Sequence, residues 1–394
     1  MRFSQRSAWS NEANPLTENY LHLKAQGVEI FNLTESNPTR CAFQYLQGLL
    51  LEELLHSQNL VYDPHPRGLM EARKAVAQNY ASQGITLQPE QIFLVANTSE
   101  AYTFLFRLLL EPGELLLAPQ PSYPLLDFLA PMNDVKLRRY PLVWKKEAWE
   151  ISPHLTAMTG PAVRALLTVN PNNPTGNYVK EAERKMLNEF AQAQTLAIIA
   201  DEVFLDFDFP PPPSPPPFGE RVSFASNHEV LTFTLGGISK SLGLPQMKLA
   251  WIIVTGPEKQ ALEAARRLEI ISDTYLSAST PSQNALPVWL GLKKAIQDEI
   301  RQRLEKNLKS LEQALRNRKD VKLYPPEGGW NTVVEFPPSR TDEGWALLFL
   351  EKAHVLTHPG YLFDFEEGSF IVLSLLPPTN IFKNGIKRIL SPSL

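Results

Sequence analysis

GGISKSLGLPQMK, residues 236–248, sets a lysine between two serines inside a glycine-rich turn. EVLTFTLGG (229–237) precedes it and KLAWIIVTG (248–256) follows, and both read as buried strands because β-branched and apolar residues run unbroken between turn formers. A solvated amine belongs on an exposed face, so Lys240, caught between two core strands, is poorly placed to be ordinary surface. Outward from this turn the same grammar repeats. QIFLVAN (91–97), ELLLAPQ (114–120), VRALLTVN (163–170), LAIIADEVF (196–204) and VLTFTLGG (230–237) are candidate strands, and helical patterns such as SEAYTFLFRLLL (99–110) and EAERKMLNEFAQAQ (181–194) lie between them. That alternation predicts an α/β fold, a large domain with a mostly parallel sheet wound by helices. Ligands of such sheets gather where strands end at their carboxyl edges, and each distinctive polar cluster of this chain follows one of these strands.

Past residue 276 the character changes. LSASTPSQNALPVWLGLKKAIQDEIRQRLEKNLKSLEQALRNRK (276–319) reads as one or two long amphipathic helices, followed by the strand-like NTVVEFP, AHVLTHPG and SFIVLSLL. The expected organisation is an N-terminal segment (1–47) packing on a small domain, a large domain (48–287), and a small C-terminal α+β domain (288–394). A length of 394 residues suits two lobes better than one core. The proline-rich window FPPPPSPPPFGER (209–221) is extended, either a docking segment or a surface insertion joining two core elements.

Composition excludes several function classes. A net charge of −4 gives nucleic-acid binding no electrostatic support. The single cysteine, Cys41, forbids an intrachain disulfide and fits a reducing compartment. No apolar leader is visible, and the longest apolar runs fall far short of a membrane span, so a soluble cytoplasmic protein is expected. The seven histidines show no metal-ligand spacing.

The clusters at the strand edges are NTSEAY, QPSYPLL, NPNNPTGNY, ADEV and the Lys240 turn. Thr98 and Ser99 open a helix, where free amides and hydroxyls suit an anion, although either hydroxyl can equally serve as the helix cap. Tyr123 can stack on a flat ligand or belong to the core. The NPNNPTG turn holds more asparagines than a turn requires, and Asn173 can donate to a ligand oxygen. Asp201 follows a buried strand and calls for a cationic partner such as a protonated ring nitrogen. Anion cradle, stacking aromatic, amide donor, carboxylate and nucleophilic amine together form the set that pyridoxal phosphate requires.

With YDPHPRGLMEARKAVAQNY (62–80), NPNNPTG, ADEV and SKSLGLPQMKLAW in that order, the chain resembles the fold type I pyridoxal-phosphate enzymes, class I/II aminotransferase family, along nearly its whole length. The resemblance implies a fold type I architecture with Lys240 as the Schiff-base lysine, Asp201 on the pyridine nitrogen, Asn173 on the phenolic oxygen and Tyr123 stacked on the ring. It further implies that Thr98, Ser99, Ser239 and Lys248 hold the phosphate with Tyr62 from a neighbouring subunit, hence a homodimer with active sites at the subunit interface. The implied reaction passes an amino group from an amino acid or related amine to a 2-oxo acid. A β-eliminating C–S lyase or decarboxylase, and a non-catalytic cofactor-binding protein, are the alternatives.

The sequence leaves the family's pattern in three places. Lys248 stands where the family has a phosphate-binding arginine, which keeps the charge and loses the fork. Val372, in HPGYLFDFEEGSFIVLSLL (358–376), stands where the family has an arginine that clamps the substrate carboxylate. Arg40 and Arg67 are candidate replacements if they are not surface arginines, and Trp330 in EGGW (327–330) is a candidate pocket wall if it is not core. Finally, Phe204 stands where the family has a tyrosine that donates to the cofactor's phenolic oxygen. Without that donor the oxygen is more basic and holds the proton of the lysine–cofactor imine more tightly. A visible-absorption pH titration is therefore expected to show this proton leaving at lower pH in Phe204→Tyr than in the natural protein; coincident curves would refute the effect.

Overall fold

The computed structural model describes residues 1–9, 13–45, 47–209 and 222–391; all of the proline-rich window beyond Phe209 lies outside the described residues. β1 (Phe31–Asn32) belongs to the N-terminal segment. The main sheet follows with β2 (Ile92–Val95), β3 (Leu115–Gln120), β4 (Lys136–Lys145), β5 (Ala148–Ile151), β6 (Val163–Val169), β7 (Ala197–Asp201), β8 (Thr232–Gly237) and β9 (Ala250–Thr255). The C-terminal part adds β10 (Lys322–Tyr324), β11 (Asn331–Glu335), β12 (Val355–Leu356), β13 (His358–Pro359) and β14 (Phe370–Ser374).

The main sheet has the order β2-β9-β8-β7-β6-β3-β4-β5. Its centre, β8-β7-β6-β3-β4, is parallel, while β9 runs against both of its neighbours and β5 against β4. Two reversals bring β2 back into line with β8, so β2, β3, β6, β7 and β8 all end at one edge. Helices cover both faces. Along β7, Ala197 and Ile199 enter one core with Ala101 and Leu268, whereas Ile198 and Ala200 enter the other with Leu187 and Phe190. A strand buried on both faces reads as a continuous apolar run, which is why these strands stand out in the sequence. The β4–β5 hairpin has no counterpart among the sequence-expected strands. Its strand KLRRYPLVWK mixes exposed, half-buried and buried positions and so lacks the unbroken apolar signature.

The small lobe carries the antiparallel sheet β10-β11-β14-β13. β1 pairs with β12, Phe31 opposite Val355, so the N-terminal segment closes onto this C-terminal lobe. The long amphipathic stretch resolves into two helices, Thr280–Gly291 and Lys293–Leu315. The second buries Ile296, Ile300, Leu304, Leu308, Leu311 and Leu315, a stripe at helical spacing.

Glu202 pins the chain where it returns to the sheet after residue 221. Its buried carboxylate accepts from the Ser223 hydroxyl (2.6 Å), the Phe224 amide (2.7 Å) and the Asn170 side-chain amide (3.1 Å). Burial nonetheless pushes this carboxyl up from 4.5 to about 7, because desolvation outweighs the three donors. A folded-state value above the unfolded one means stability that is complete below pH 4.5 and lost as pH rises through about 7. Glu202→Gln stays neutral and keeps the shape. Denaturant melts between pH 4.5 and 8 are therefore expected to show the natural protein losing about 3 kcal/mol relative to the variant. A pH-independent difference would mean that Glu202 titrates alike in both states.

Candidate active site

The register across the central strands builds the site. Asp201, the last residue of β7, is paired with Val169 on β6 and with Leu235 on β8. Beyond Leu235, β8 continues through Gly236, where a β-carbon would lie 2.4 Å from Nε1 of Trp251 on β9. Only glycine allows the two strands to stay paired to this edge. The chain then turns into the short helix Ile238–Ser241, which carries Lys240 to the carboxyl edge beside Asp201.

Asp201 is buried and accepts from the Tyr102 hydroxyl at Oδ2 (2.7 Å) and from the Val203 amide at Oδ1 (3.1 Å). Desolvation pushes its carboxyl up, and these donors together with the Lys240 charge pull it down. For Lys240 the same physics has the opposite sign. Burial draws its ammonium down from 10.5 to about 8, against the attraction of Asp201. The Lys240 amine lies 5.0 Å from the ring centre of Trp330 and 5.5 Å from that of Phe204. The two rings meet edge-on at 5.3 Å, so the wall beside the amine is aromatic.

Other elements bring the remaining groups. The helix Thr98–Leu109 is capped by Asn97, whose side chain accepts from the Glu100 amide (3.0 Å), while the Glu100 carboxylate accepts from the Ala96 amide (2.7 Å). Of the two readings of Thr98 and Ser99, helix cap or anion-binding hydroxyls, the cap thus falls to Asn97 instead. Among the described residues neither hydroxyl has a partner, and both stand at the positive end of the helix dipole. Tyr123 is 46% exposed and therefore open to the cleft rather than core; the Asp201 charge, after burial, raises its hydroxyl's proton affinity, which places it in the carboxylate's field.

The three asparagines of NPNNPTG divide their work. Asn170 accepts from the Val179 amide (3.0 Å) and donates to Glu202; Asn172 donates to Thr175 (2.7 Å) and to the Pro121 carbonyl (3.2 Å). Asn173 accepts from Asn331 (2.7 Å), which leaves its own NH₂ group available to the cleft. The turn is stitched to EGGW, since Gly176, at φ 74°, leaves its carbonyl to the Gly328 amide (2.9 Å). A β-carbon on Gly176 would meet Pro326 at 2.4 Å. This contact sets Trp330 and Asn331 beside the main sheet's edge. Trp330, 2% exposed, is thus both core and the wall of the Lys240 site.

Ser239 precedes Lys240 directly, and Lys248 is exposed with a left-handed backbone (φ 50°) just before β9. Tyr62 is 69% exposed, with no hydrogen bond or ring contact to these groups among the described residues. Arg40 is exposed and without an ion pair among the described residues. Arg67, the other candidate cation, is engaged within the chain. Its guanidinium binds Glu269 (2.7 Å) and the Glu90 carbonyl (2.6 Å) over the ring of Phe93. Val372 is fully buried opposite Val333 and His358, in a core with Tyr140, Trp149 and Phe363. Burial also draws the His358 imidazole down to about 4, so this wall carries no charge from histidine. Sequence reading missed Tyr102 and Asn331. The available signal for Tyr102 was its spacing, one helical turn beyond Thr98 and Ser99.

The model of the family described as aminotransferase class I and II matches residues 32–378. This chain belongs to that family. It is accordingly a pyridoxal-phosphate-dependent aminotransferase, a transferase of fold type I. The glutamate-pyruvate aminotransferase AlaA of Haemophilus influenzae is 27% identical over 297 residues, 73% of this chain and 70% of the relative. S-alkyl-thiohydroximate lyase of Arabidopsis thaliana is 33% identical over 229 residues, 57% of this chain and 48% of the relative. An alanine aminotransferase structure from Pyrococcus furiosus superposes with a TM-score of 0.88 at 22% identity, covering 98% of each chain, a likeness of fold.

The donor set fits the cofactor: a buried carboxylate for a ring N–H, an uncommitted amide, two unpartnered hydroxyls at a helix start, and a desolvated lysine. Asp201 raises the proton affinity of Lys240, so Asp201→Asn is expected to lower it further. In cofactor-free protein, the pH at which Lys240 is half-labelled by acetic anhydride, read by peptide mass spectrometry, should fall below that of the natural protein. An unchanged midpoint would show the two groups to be electrostatically independent.

Proposed function

We propose that this aminotransferase exchanges an amino group between an amino acid or related amine and a 2-oxo acid, with Lys240 as the proton-transferring base. The observation that carries this reading is a lysine drawn down to about 8 on the strand edge beside a buried, doubly hydrogen-bonded aspartate. At that value Lys240 is divided between amine and ammonium near neutral pH, which suits a group that both takes and returns a proton at the substrate's α-carbon. Bound pyridoxal phosphate supplies the carbonyl and the electron sink. Asp201 would hold the ring N–H, the Asn173 amide would donate to the phenolic oxygen, and Tyr123 would cover the ring. Thr98, Ser99, Ser239 and Lys248 would hold the phosphate, with Tyr62 of a second subunit. Leu55, Leu60 and Val61, exposed and shortly before Tyr62 in the chain, support a homodimer whose interface covers them.

Substrate recognition departs from the family's. The buried Val372 wall offers a carboxylate no partner, and Arg40 is the remaining candidate cation. Glutamate-pyruvate and alanine aminotransferases among the relatives favour α-amino acids as donors, whereas the plant lyase keeps β-elimination as a second reading.

The visible spectrum of the loaded enzyme, taken while single amino acids and diamines are added, tests the proposal. Bleaching of the yellow band with one 2-oxo acid formed per site is expected, and Lys240→Ala should abolish it. Release of ammonia and a thiol from a sulfur amino acid, with no bleaching, would establish the lyase instead.

A further inference from the structure

We propose that Tyr102 is a positioning residue through which the helix opening at Thr98 and Ser99 fixes both the orientation and the charge of Asp201. The inference rests on Asp201 being the partner of the cofactor's ring nitrogen. Tyr102 is 5% exposed, its ring 5.8 Å from Phe106 on the same helix, and its hydroxyl lies 2.7 Å from Oδ2 of Asp201. The hydroxyl's own ionisation is pushed far up, by burial first and then by the Asp201 charge. A phenol that cannot ionise beside a carboxylate has one arrangement open to it, donation. The Val203 amide holds the other oxygen at 3.1 Å, so two donors fix the plane of the carboxylate. Each oxygen retains a lone pair for a donor arriving from the cleft.

The helix acts as a ruler. Tyr102 follows Thr98 and Ser99 by about one turn, roughly 5 Å along the axis and on the same face. A single rigid element therefore spans the phosphate end and the nitrogen end of the cofactor site. The charged and titratable groups around Asp201 are Lys240 from the β8 edge, Glu202 next in the chain, Tyr123 from the β3 edge and Tyr102 itself. Lys240 favours the ionised carboxylate, Glu202 opposes it when ionised, and burial opposes it throughout. The hydroxyl of Tyr102, donating at 2.7 Å, tips this balance toward the anion without adding charge.

The test measures the dissociation constant of pyridoxal 5′-phosphate by fluorescence titration from pH 6 to 9 for the natural protein, Tyr102→Phe, Asp201→Asn and the double variant. Phenylalanine keeps the ring and removes one oxygen. Tyr102→Phe is expected to weaken binding roughly ten-fold at pH 8. The deficit should grow as pH falls, because the carboxyl that has lost a donor takes up its proton at higher pH. Asp201→Asn should weaken binding at least as much, and adding Tyr102→Phe to it should change nothing further. A carbocyclic analogue lacking the ring nitrogen should bind the natural protein and Tyr102→Phe alike. If Asp201→Asn leaves affinity intact, the role of Asp201 itself is wrong. If Asp201→Asn weakens binding while Tyr102→Phe does not, or costs the same factor in both backgrounds, the positioning role of Tyr102 is overturned.

Discussion

A carboxylate taken out of water at the end of a central strand is the constraint on which this structure turns. Asp201 ends β7 with neighbours on both sides, so its charge must be met by donors delivered to it from other elements. Two donors and one charge arrive by different routes: the phenol of Tyr102 from a crossover helix, the Val203 amide from the chain's own turn, and the positive charge of Lys240 from the β8 edge. Each route depends on the sheet being wound as it is. If β7 and β8 were out of register by one residue, Asp201 would face the opposite side of the sheet and both Tyr102 and Lys240 would lose it. The fold is thus specified by the same pairing that makes the site.

The small lobe contributes through one seam. Gly176 and Gly328 are bare because the NPNNPTG turn and the EGGW turn touch backbone to backbone; side chains there would collide with Pro326, Tyr178 and the Phe207 carbonyl. That contact delivers Asn331 to Asn173 and Trp330 to Lys240. The Glu327 carboxylate reinforces it by accepting from the Tyr178 amide (3.0 Å) and pairing with Lys180. Removing water from around Lys240 is consequently a task shared by the two lobes, with Phe204 from one and Trp330 from the other.

The sequence displays what depends on strand order. Lys240, Asp201 and Asn173 each follow a buried apolar run, and their common edge could be read before any coordinates. What depends on side-chain direction was not legible. Tyr102 looks in sequence like one more apolar helix residue, and only the packing of its helix against β7 shows its hydroxyl at Asp201. Thr98 and Ser99 could be read either as caps or as anion-binding hydroxyls because Asn97, one residue earlier, is an equally good cap; backbone geometry decides for Asn97. Arg67 is hidden from sequence for the opposite reason. Its partner Glu269 lies 202 positions away, beyond the reach of any local pattern. The β4–β5 hairpin was passed over because a strand with half-buried faces does not announce itself by hydrophobicity.

Val372 and Phe204, where the resemblance implies an arginine and a tyrosine, meet the small lobe's sheet in different cores. Trp330, Asn331 and Val333 lie along one edge of β11, and β14 pairs with that edge, Ser374 opposite Asn331 and Val372 opposite Val333, while the Leu375 amide bonds the Trp330 carbonyl (2.8 Å). Phe204 packs onto the same edge through Trp330. Phe204 and Trp330 close the aromatic wall beside Lys240. A cation at 372 would sit in an apolar core with Tyr140, Trp149 and Phe363. Burial draws the Lys240 ammonium down to about 8, which suits a base working near neutral pH.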